Sequence, residues 1–205
     1  HTRYIGDWSS DVCSSDLGGH TEFTIIKNFN SYKRIGTTID DALGEAFDKT
    51  ARLLKMGYPG GPEIEKYAAL GDENRFQLPM PLIRESNAHF SFAGLKSAVA
   101  NIVAKNRCTE KFKKDMAASF QATINKIIFT KTQNAIREYK RLIKSKKTLK
   151  VVVAGGVAAN KSIRSSLKAL ESMEDCQFLF PSIKYCTDNG AMIALAGRSE
   201  EHTSE

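Results

Sequence analysis

The fold of this 205-residue chain is decided by residues 149–160, which read Leu-Lys-Val-Val-Val-Ala-Gly-Gly-Val-Ala-Ala-Asn. The short valine run is typical of a strand that is buried on both faces. Two glycines end it, and Asn160 is a residue type that favours the start of a helix, here predicted over 161–170. A strand, a glycine turn and a helix start bring unpaired backbone N–H groups and the helix dipole to one point. The stretch therefore predicts an α/β fold with a nucleotide or anion site.

Two further strand patterns extend this prediction. Residues 22–27 and 32–35 alternate around a polar turn and predict a hairpin that opens the domain. Residues 177–180 predict another strand, and Asp188 is placed to cap a final helix that runs through Ala196. Because open α/β sheets bind ligands beyond the carboxyl ends of their strands, Asp188 is a candidate functional residue.

A third site candidate is a row of acids in the predicted helix that starts at Thr38 and ends near Gly57. Asp41, Glu45 and Asp48 are spaced so that they fall on one helix face. Three carboxylates in register could hold ribose hydroxyls or a metal ion. The same spacing is equally compatible with an ordinary solvated face.

Basic residues are concentrated in one part of the chain. The net charge is +7, yet residues 105–150 contain fourteen lysines and arginines against three acids, an excess of eleven. A long amphipathic helix is predicted from Lys111, with most of this charge on its outer side. Such a surface suits a polyanion such as RNA, and a solvated helix face is the equally weighted alternative.

The remaining composition indicates a protein of the reducing cytoplasm. Cys108, Cys176 and Cys186 are widely spaced, without a Cys-x-x-Cys pair, which predicts neither a disulfide framework nor a zinc knuckle. No apolar stretch approaches the roughly 20 residues that span a bilayer. We therefore expect a cytoplasmic protein with no membrane partner.

The two ends are expected to lie outside the domain. Residues 1–17 lack the basic start and apolar core of a signal peptide and show neither helical nor strand periodicity. They resemble translated sequencing-adapter sequence, as do residues 198–205, so both are predicted to be artefactual. Natural disordered tails are the alternative. The domain itself is predicted to span residues 18–197.

Several segments together carry a family resemblance. Small residues stand beside an acid or an amide in four segments, Asp40–Lys49, Tyr58–Pro62, Ala154–Asn160 and Cys186–Ala194. Gly18-Gly19-His20-Thr21 precedes them, and Phe90–Lys96 lies between the second and the third. In this order they resemble the tRNA N6-adenosine threonylcarbamoyltransferase family. The resemblance implies an α/β fold of the actin-like ATPase and sugar-kinase superfamily, of which this chain would be mainly the C-terminal lobe.

The resemblance also implies a function. The full-length enzyme would be an acyltransferase that moves the threonylcarbamoyl group from threonylcarbamoyl-adenylate to N6 of adenosine 37 in tRNAs that read ANN codons. It would use one divalent metal ion per subunit, iron or alternatively zinc. Its partners would be tRNA and other threonylcarbamoyladenosine-synthesis proteins, namely a noncatalytic paralogue and an ATPase subunit.

Site residues follow from the same resemblance, position by position. Those that would bind the substrate are Gly18 and Gly19 at the phosphate or carbamoyl end, Asp48 and Glu65 near the ribose, and Gly61 and Asn160 in the adenosine pocket. Asp188 would be the catalytic residue and the carboxylate ligand of the metal.

The sequence departs from the family pattern at three points. Ala93 stands where serine is common, the serine before Gly18 is absent, and no His-x-x-x-His occurs. Because the family takes its metal-binding histidines from the N-terminal lobe, we expect this chain to be a fragment that is inactive alone. A kinase or ATPase lobe of the same superfamily and a noncatalytic scaffolding paralogue remain as alternatives.

Overall fold

The computed structural model describes residues 11–16, 20–28, 31–144 and 147–186. Three predicted site residues, Gly18, Gly19 and Asp188, lie outside these described residues. The predictions made for them, and for the helix after Asp188, remain predictions.

A mixed β-sheet lies at the centre of the described fold. Its strands are β1 (Asp11–Asp16), β2 (Thr21–Asn28), β3 (Ser31–Thr37), β4 (Leu149–Val153) and β5 (Cys176–Leu179). They lie in the order β3-β2-β1-β4-β5. β1, β2 and β3 pair antiparallel, whereas β4 pairs parallel with both β1 and β5. The predicted hairpin and the two predicted later strands are thereby confirmed.

The first strand lies within residues 1–17, the segment that was predicted to fall outside the domain. Asp11–Asp16, expected to contribute nothing to the fold, lies in the middle of the sheet, with Val12 opposite Ile25 on one side and Val151 on the other. Sheet ladders are made by backbone N–H and C=O groups, so a strand between two partners does not need the side-chain alternation that was missing here. The artefactual origin of residues 1–17 and 198–205 stays a prediction.

The described part of the chain also contains five α-helices. They are α1 (Leu43–Leu53), α2 (Gly60–Ala68), α3 (Ala93–Ala104), α4 (Glu110–Leu142) and α5 (Lys161–Lys168). The long basic helix is confirmed as α4, whose first turn is capped by Thr109 Oγ1 accepting from the backbone N–H of Phe112 at 3.2 Å. The helix predicted after Asn160 is confirmed as α5, followed by a short 3-10 turn.

The predicted start of α1 at Thr38 is wrong. Thr38 forms a parallel bridge with Phe90, and the helix begins only at Leu43. Asp40 instead accepts hydrogen bonds from the backbone N–H groups of Phe92, at 2.7 Å, and Ala93. Asp40 therefore caps the start of α3, a helix that the sequence did not predict. The residues between Thr38 and Leu43 serve this long-range contact and are not free to form a helical turn.

The core lies where α4 packs between the sheet and the other helices. The face predicted for α4 is confirmed, because Phe112, Met116, Phe120, Ile124 and Ile127 are all buried. Burying each such side chain contributes about 1.5–3 kcal/mol. One contact reaches the site: Phe120 meets the ring of Phe47 on α1 edge to face, with centroids 5.3 Å apart. α4 thus packs against α1 through this aromatic pair.

Candidate functional site

A cleft of about 260 Å³ opens between α1, the start of α2 and the glycine turn after β4. Four predicted site residues line it together, Asp48, Gly61, Glu65 and Asn160. They come from three separate segments of the chain, and the fold brings them to one place. The apolar part of the lining comes from Phe47, Pro59, Pro62, Val157 and Ala159.

Asp48 ties α1 to α2. Its Oδ1 accepts the backbone N–H of Gly60, the first residue of α2, at 2.7 Å. A carboxylate at this position satisfies one of the unpaired N–H groups of the helix start and interacts favourably with the helix dipole. Among the described residues Oδ2 of Asp48 has no hydrogen-bond donor, so it is the oxygen that a ligand hydroxyl can reach.

Glu65 of α2 binds the start of α5 in the same way that Asp48 of α1 binds the start of α2. Its Oε1 accepts the backbone N–H of Lys161, the first residue of α5, at 2.6 Å. Within the part of the chain that the structure describes, Oε2 is left without a donor. The cleft therefore offers two carboxylates, each with one oxygen fixed by a helix start and one available. Such a pair of acceptors matches the two hydroxyl donors of a ribose.

The side chain of Asn160 already makes two hydrogen bonds within the protein. Its side chain is only 7% exposed, Oδ1 accepts the backbone N–H of Ile163 at 2.9 Å, and Nδ2 donates to Gln121 Oε1 at 2.9 Å. The prediction that Asn160 starts a helix is confirmed. A ligand would meet its remaining N–H and its remaining lone pair, in a direction set by these bonds. Gln121, which reaches this network from α4, was not predicted.

Glycines allow the close approaches at the cleft. A Cβ on Gly60 would lie 2.7 Å from Asp48 Cα and 2.8 Å from Phe47 O, so only glycine lets α2 start this close to α1. A Cβ on Gly61 would meet nothing within 4 Å, which places this residue beside open space. Gly155, in the turn after β4, has φ 87°, a conformation that side chains disfavour.

The predicted row of three carboxylates does not form. Asp41 precedes α1, and Lys49 Nζ lies 2.7 Å from Asp41 Oδ1 and 2.6 Å from Glu45 Oε1. Hydrogen bonds to Asp41 and then Glu45 raise the pKa of Lys49, so one ammonium group bridges both acids and offsets one of their two negative charges. Asp48 faces Gly60 instead. The described residues therefore do not bring Asp41, Glu45 and Asp48 together as one three-carboxylate site, and Asp48 lines the cleft.

A metal centre is not assembled by the described residues. Within residues 11–16, 20–28, 31–144 and 147–186, no group of three His, Cys, Asp or Glu side chains is placed to hold an ion. His89 Nδ1 accepts the backbone N–H of Thr37 at 3.2 Å and so has a structural role. The predicted ligand Asp188 lies outside the described residues, and its metal site stays a prediction.

The basic run on α4 is partly neutralised. Lys140 pairs with Glu174 at 2.7 Å, and Arg141 pairs with Glu138 at 2.7 Å. Lys131 is fully buried and donates to the backbone carbonyls of residues 85 and 87 at 3.1 Å. Exposed cations remain at Lys105, Arg107, Lys126, Arg137, Lys144 and Lys150. The surface available to a polyanion is therefore smaller than the sequence count indicated.

Membrane insertion has no support among the helices that the structure describes. None of them combines the length and the apolar character that crossing a bilayer requires. Cys108, Cys176 and Cys186 are free cysteines.

A mixed sheet with helices, in which a glycine turn, a helix start and two carboxylates enclose one cleft, defines a protein of the α/β class. The sequence model for tRNA N6-adenosine threonylcarbamoyltransferase matches residues 12–195. The chain belongs to this family, which is part of the actin-like ATPase superfamily. The match includes β1, in agreement with the place of that strand in the sheet.

Curated relatives named tRNA N6-adenosine threonylcarbamoyltransferase support this membership. The chain is 52% identical to the protein of Pelagibacter ubique over 180 residues, and this matched region covers 88% of this chain and 50% of the relative. It is 45% identical over 181 residues to that of Rickettsia massiliae (88% and 53%), and 44% identical over 187 residues to that of Brucella suis (91% and 52%). The chain thus spans about half the length of the curated relatives it matches.

Proposed function

We propose that this chain is part of an enzyme that transfers a threonylcarbamoyl group from threonylcarbamoyl-adenylate to N6 of adenosine 37 in tRNA. The observation that carries the proposal is the convergence of Asp48, Gly61, Glu65 and Asn160 on one cleft. The family membership and the names of the relatives support the reaction. They do not favour a kinase or ATPase lobe, or a noncatalytic scaffold.

The cleft would hold the nucleoside part of the adenylate. The available oxygens of Asp48 and Glu65 would accept the ribose hydroxyls, and the adenine would lie against the apolar wall that Pro59, Pro62 and Val157 form. Gly61 leaves space for the ligand because it has no side chain. Residues on three elements would therefore fix the adenylate in one orientation, which lowers the entropic cost of the reaction.

The acyl transfer needs stabilisation of charge more than it needs a covalent intermediate. The exocyclic amine of adenine is a weak nucleophile, so the carbonyl under attack must be polarised and the leaving AMP stabilised. Backbone N–H groups of Gly18 and Gly19 would face the phosphate or carbamoyl end. Asp188 would hold a divalent metal ion, iron or alternatively zinc, which supplies Lewis-acid polarisation when bound.

The wider assembly is also a proposal. This chain would be mainly the C-terminal lobe of an actin-like enzyme of the cytoplasm. The tRNA phosphates would contact the exposed cations of α4 and its flanks, among them Lys126 and Lys144. The noncatalytic paralogue and the ATPase subunit would be its protein partners.

A chimera tests the proposed reaction. Residues 18–186 replace the matching region in the Pelagibacter ubique relative, and formation of threonylcarbamoyladenosine in tRNA is measured for the chimera and its parent. We expect transfer by the chimera and a loss of at least about tenfold on Asp48→Ala, since one hydrogen bond to a buried ligand group contributes about 1–3 kcal/mol. A folded chimera without transfer, beside an active parent, would refute the proposal. ATP hydrolysis without transfer would instead favour the kinase or ATPase alternative.

A further inference from the structure

A chain of side-chain amides connects Asn160 to α4. Asn160 Nδ2 donates to Gln121 Oε1 at 2.9 Å, and Gln121 Nε2 donates to Asn125 Oδ1 at 3.0 Å. Asn125 Nδ2 then donates to Ser162 Oγ at 2.8 Å. The chain thus leaves the start of α5, crosses to α4 and returns to α5. Gln121 is only 4% exposed, so water does not readily replace its partners.

One backbone group fixes the direction of the whole chain. The N–H of Ile163 needs an acceptor, and it finds Asn160 Oδ1 at 2.9 Å. The amide nitrogen of Asn160 must therefore face Gln121, whose side-chain carbonyl oxygen accepts the hydrogen bond. Reversing either amide alone would set two donors or two acceptors against each other. Gln121 is the acceptor that completes this arrangement for Asn160.

We infer that Gln121 is a positioning residue of the nucleotide cleft, acting through Asn160. The inference rests on the proposed function of the cleft as a nucleoside site. With Oδ1 held by Ile163 and Nδ2 held by Gln121, the amide plane of Asn160 cannot turn, and its remaining N–H and lone pair keep one direction toward a ligand. Without the Gln121 carbonyl, a buried donor loses its partner and the amide is free to rotate.

Gln121 reaches the ligand only through this contact. It does not line the cleft of Asp48 and Asn160; it lines a separate groove of about 540 Å³ between α2, α4 and α5. Glu65 lines both cavities and stands in the wall between them. A substitution at Gln121 can therefore change nucleotide binding without entering the space that the nucleotide would fill.

Affinity for AMP, measured by titration calorimetry on the 205-residue chain, tests the inference. Gln121→Met keeps the length of the side chain and removes the acceptor, so we expect binding weaker by roughly tenfold. Gln121→Glu keeps an acceptor for Asn160, and Asn125 can turn its amide to donate; we expect affinity within about threefold of wild type. Ser165→Ala, in the wall of the groove, is the control and should change nothing.

A double variant separates positioning from general destabilisation. Asn160→Ser keeps a residue that caps α5 and removes the amide. In that background Gln121→Met should alter AMP affinity by less than about twofold, because the Asn160 amide that Gln121 positions is already absent. An equal loss in both backgrounds would overturn the inference.

The ligand-free chain supplies a readout that does not depend on AMP. The side-chain amide signals of Asn160 in the nuclear magnetic resonance spectrum should move in Gln121→Met and stay close to wild type in Gln121→Glu. Signals that stay unchanged in both variants would overturn the inference. If wild type fails to bind AMP while these signals move as expected, the proposed nucleoside site fails and the positioning of Asn160 stands.

Discussion

Two neighbouring glycines at the start of α2 should respond in opposite ways to the same substitution. In Gly60→Ala the new methyl would lie 2.7 Å from Asp48 Cα and 2.9 Å from Ala51 Cβ, so α2 must move away from α1. Overpacking of this kind costs about 1–3 kcal/mol. With roughly 2–4 °C per kcal/mol for a domain of this size, the melting temperature should fall by about 2–12 °C.

Gly61→Ala is the matched control, because its Cβ would meet nothing within 4 Å. Alanine is favoured over glycine inside a helix by roughly 0.5–1 kcal/mol, so the melting temperature should stay level or rise by about 1–4 °C. The methyl would take up space in the cleft, and AMP affinity should fall by about tenfold or more. Calorimetric melting and AMP titration on both variants check this. Equal stability of the two variants would refute the close approach of α1 and α2.

Three more outcomes follow from the interactions described above. If Asp48 and Glu65 accept ribose hydroxyls, 2′-deoxy-AMP should bind about tenfold more weakly than AMP, since one acceptor then lacks its donor; equal affinities would contradict the ribose assignment. Burial lowers the pKa of Lys131 below 10.5, so just below pH 10.5 the unfolded state binds more protons than the folded state. The free energy of unfolding of wild type relative to Lys131→Met should therefore rise with pH in that window. Denaturant unfolding across this range measures the difference, and a flat or falling difference would contradict the burial of the charge. Reversal of the exposed Lys126 and Lys144 should weaken tRNA binding and lower its salt dependence by about 0.9 in log–log slope for each phosphate that is no longer neutralised, whereas Lys140→Gln, already paired with Glu174, should change the slope little.

Local signals predicted the part of the site that is built from consecutive residues. The valine run, the two glycines and Asn160 indicated β4, the turn and α5, because each step depends on neighbours in the sequence. The spacing of Asp41, Glu45 and Asp48 was misleading, because spacing alone does not identify the partner of each acid. Lys49 of α1 pairs with Asp41 and Glu45, and Asp48 accepts the backbone N–H of Gly60, twelve residues away.

Long-range interactions account for what the sequence did not predict. The start of α3 is capped by Asp40, 52 residues from Phe92, and Gln121 holds Asn160 from 39 residues away. Neither glutamine nor aspartate carries a local pattern that announces such a partner. The strand β1 was missed because its role depends on the two ladders beside it rather than on its own side chains.

We propose that Asp48, Gly61, Glu65 and Asn160 form one nucleoside cleft. Titrating AMP into isotope-labelled chain and following the backbone amide signals tests it most directly. Shifts should concentrate within residues 44–48, 59–65 and 156–160, the three segments that line the cleft. Shifts confined to the groove between α2 and α4, around Ala69, Ala118 and Ala122, with none at the cleft, would contradict it.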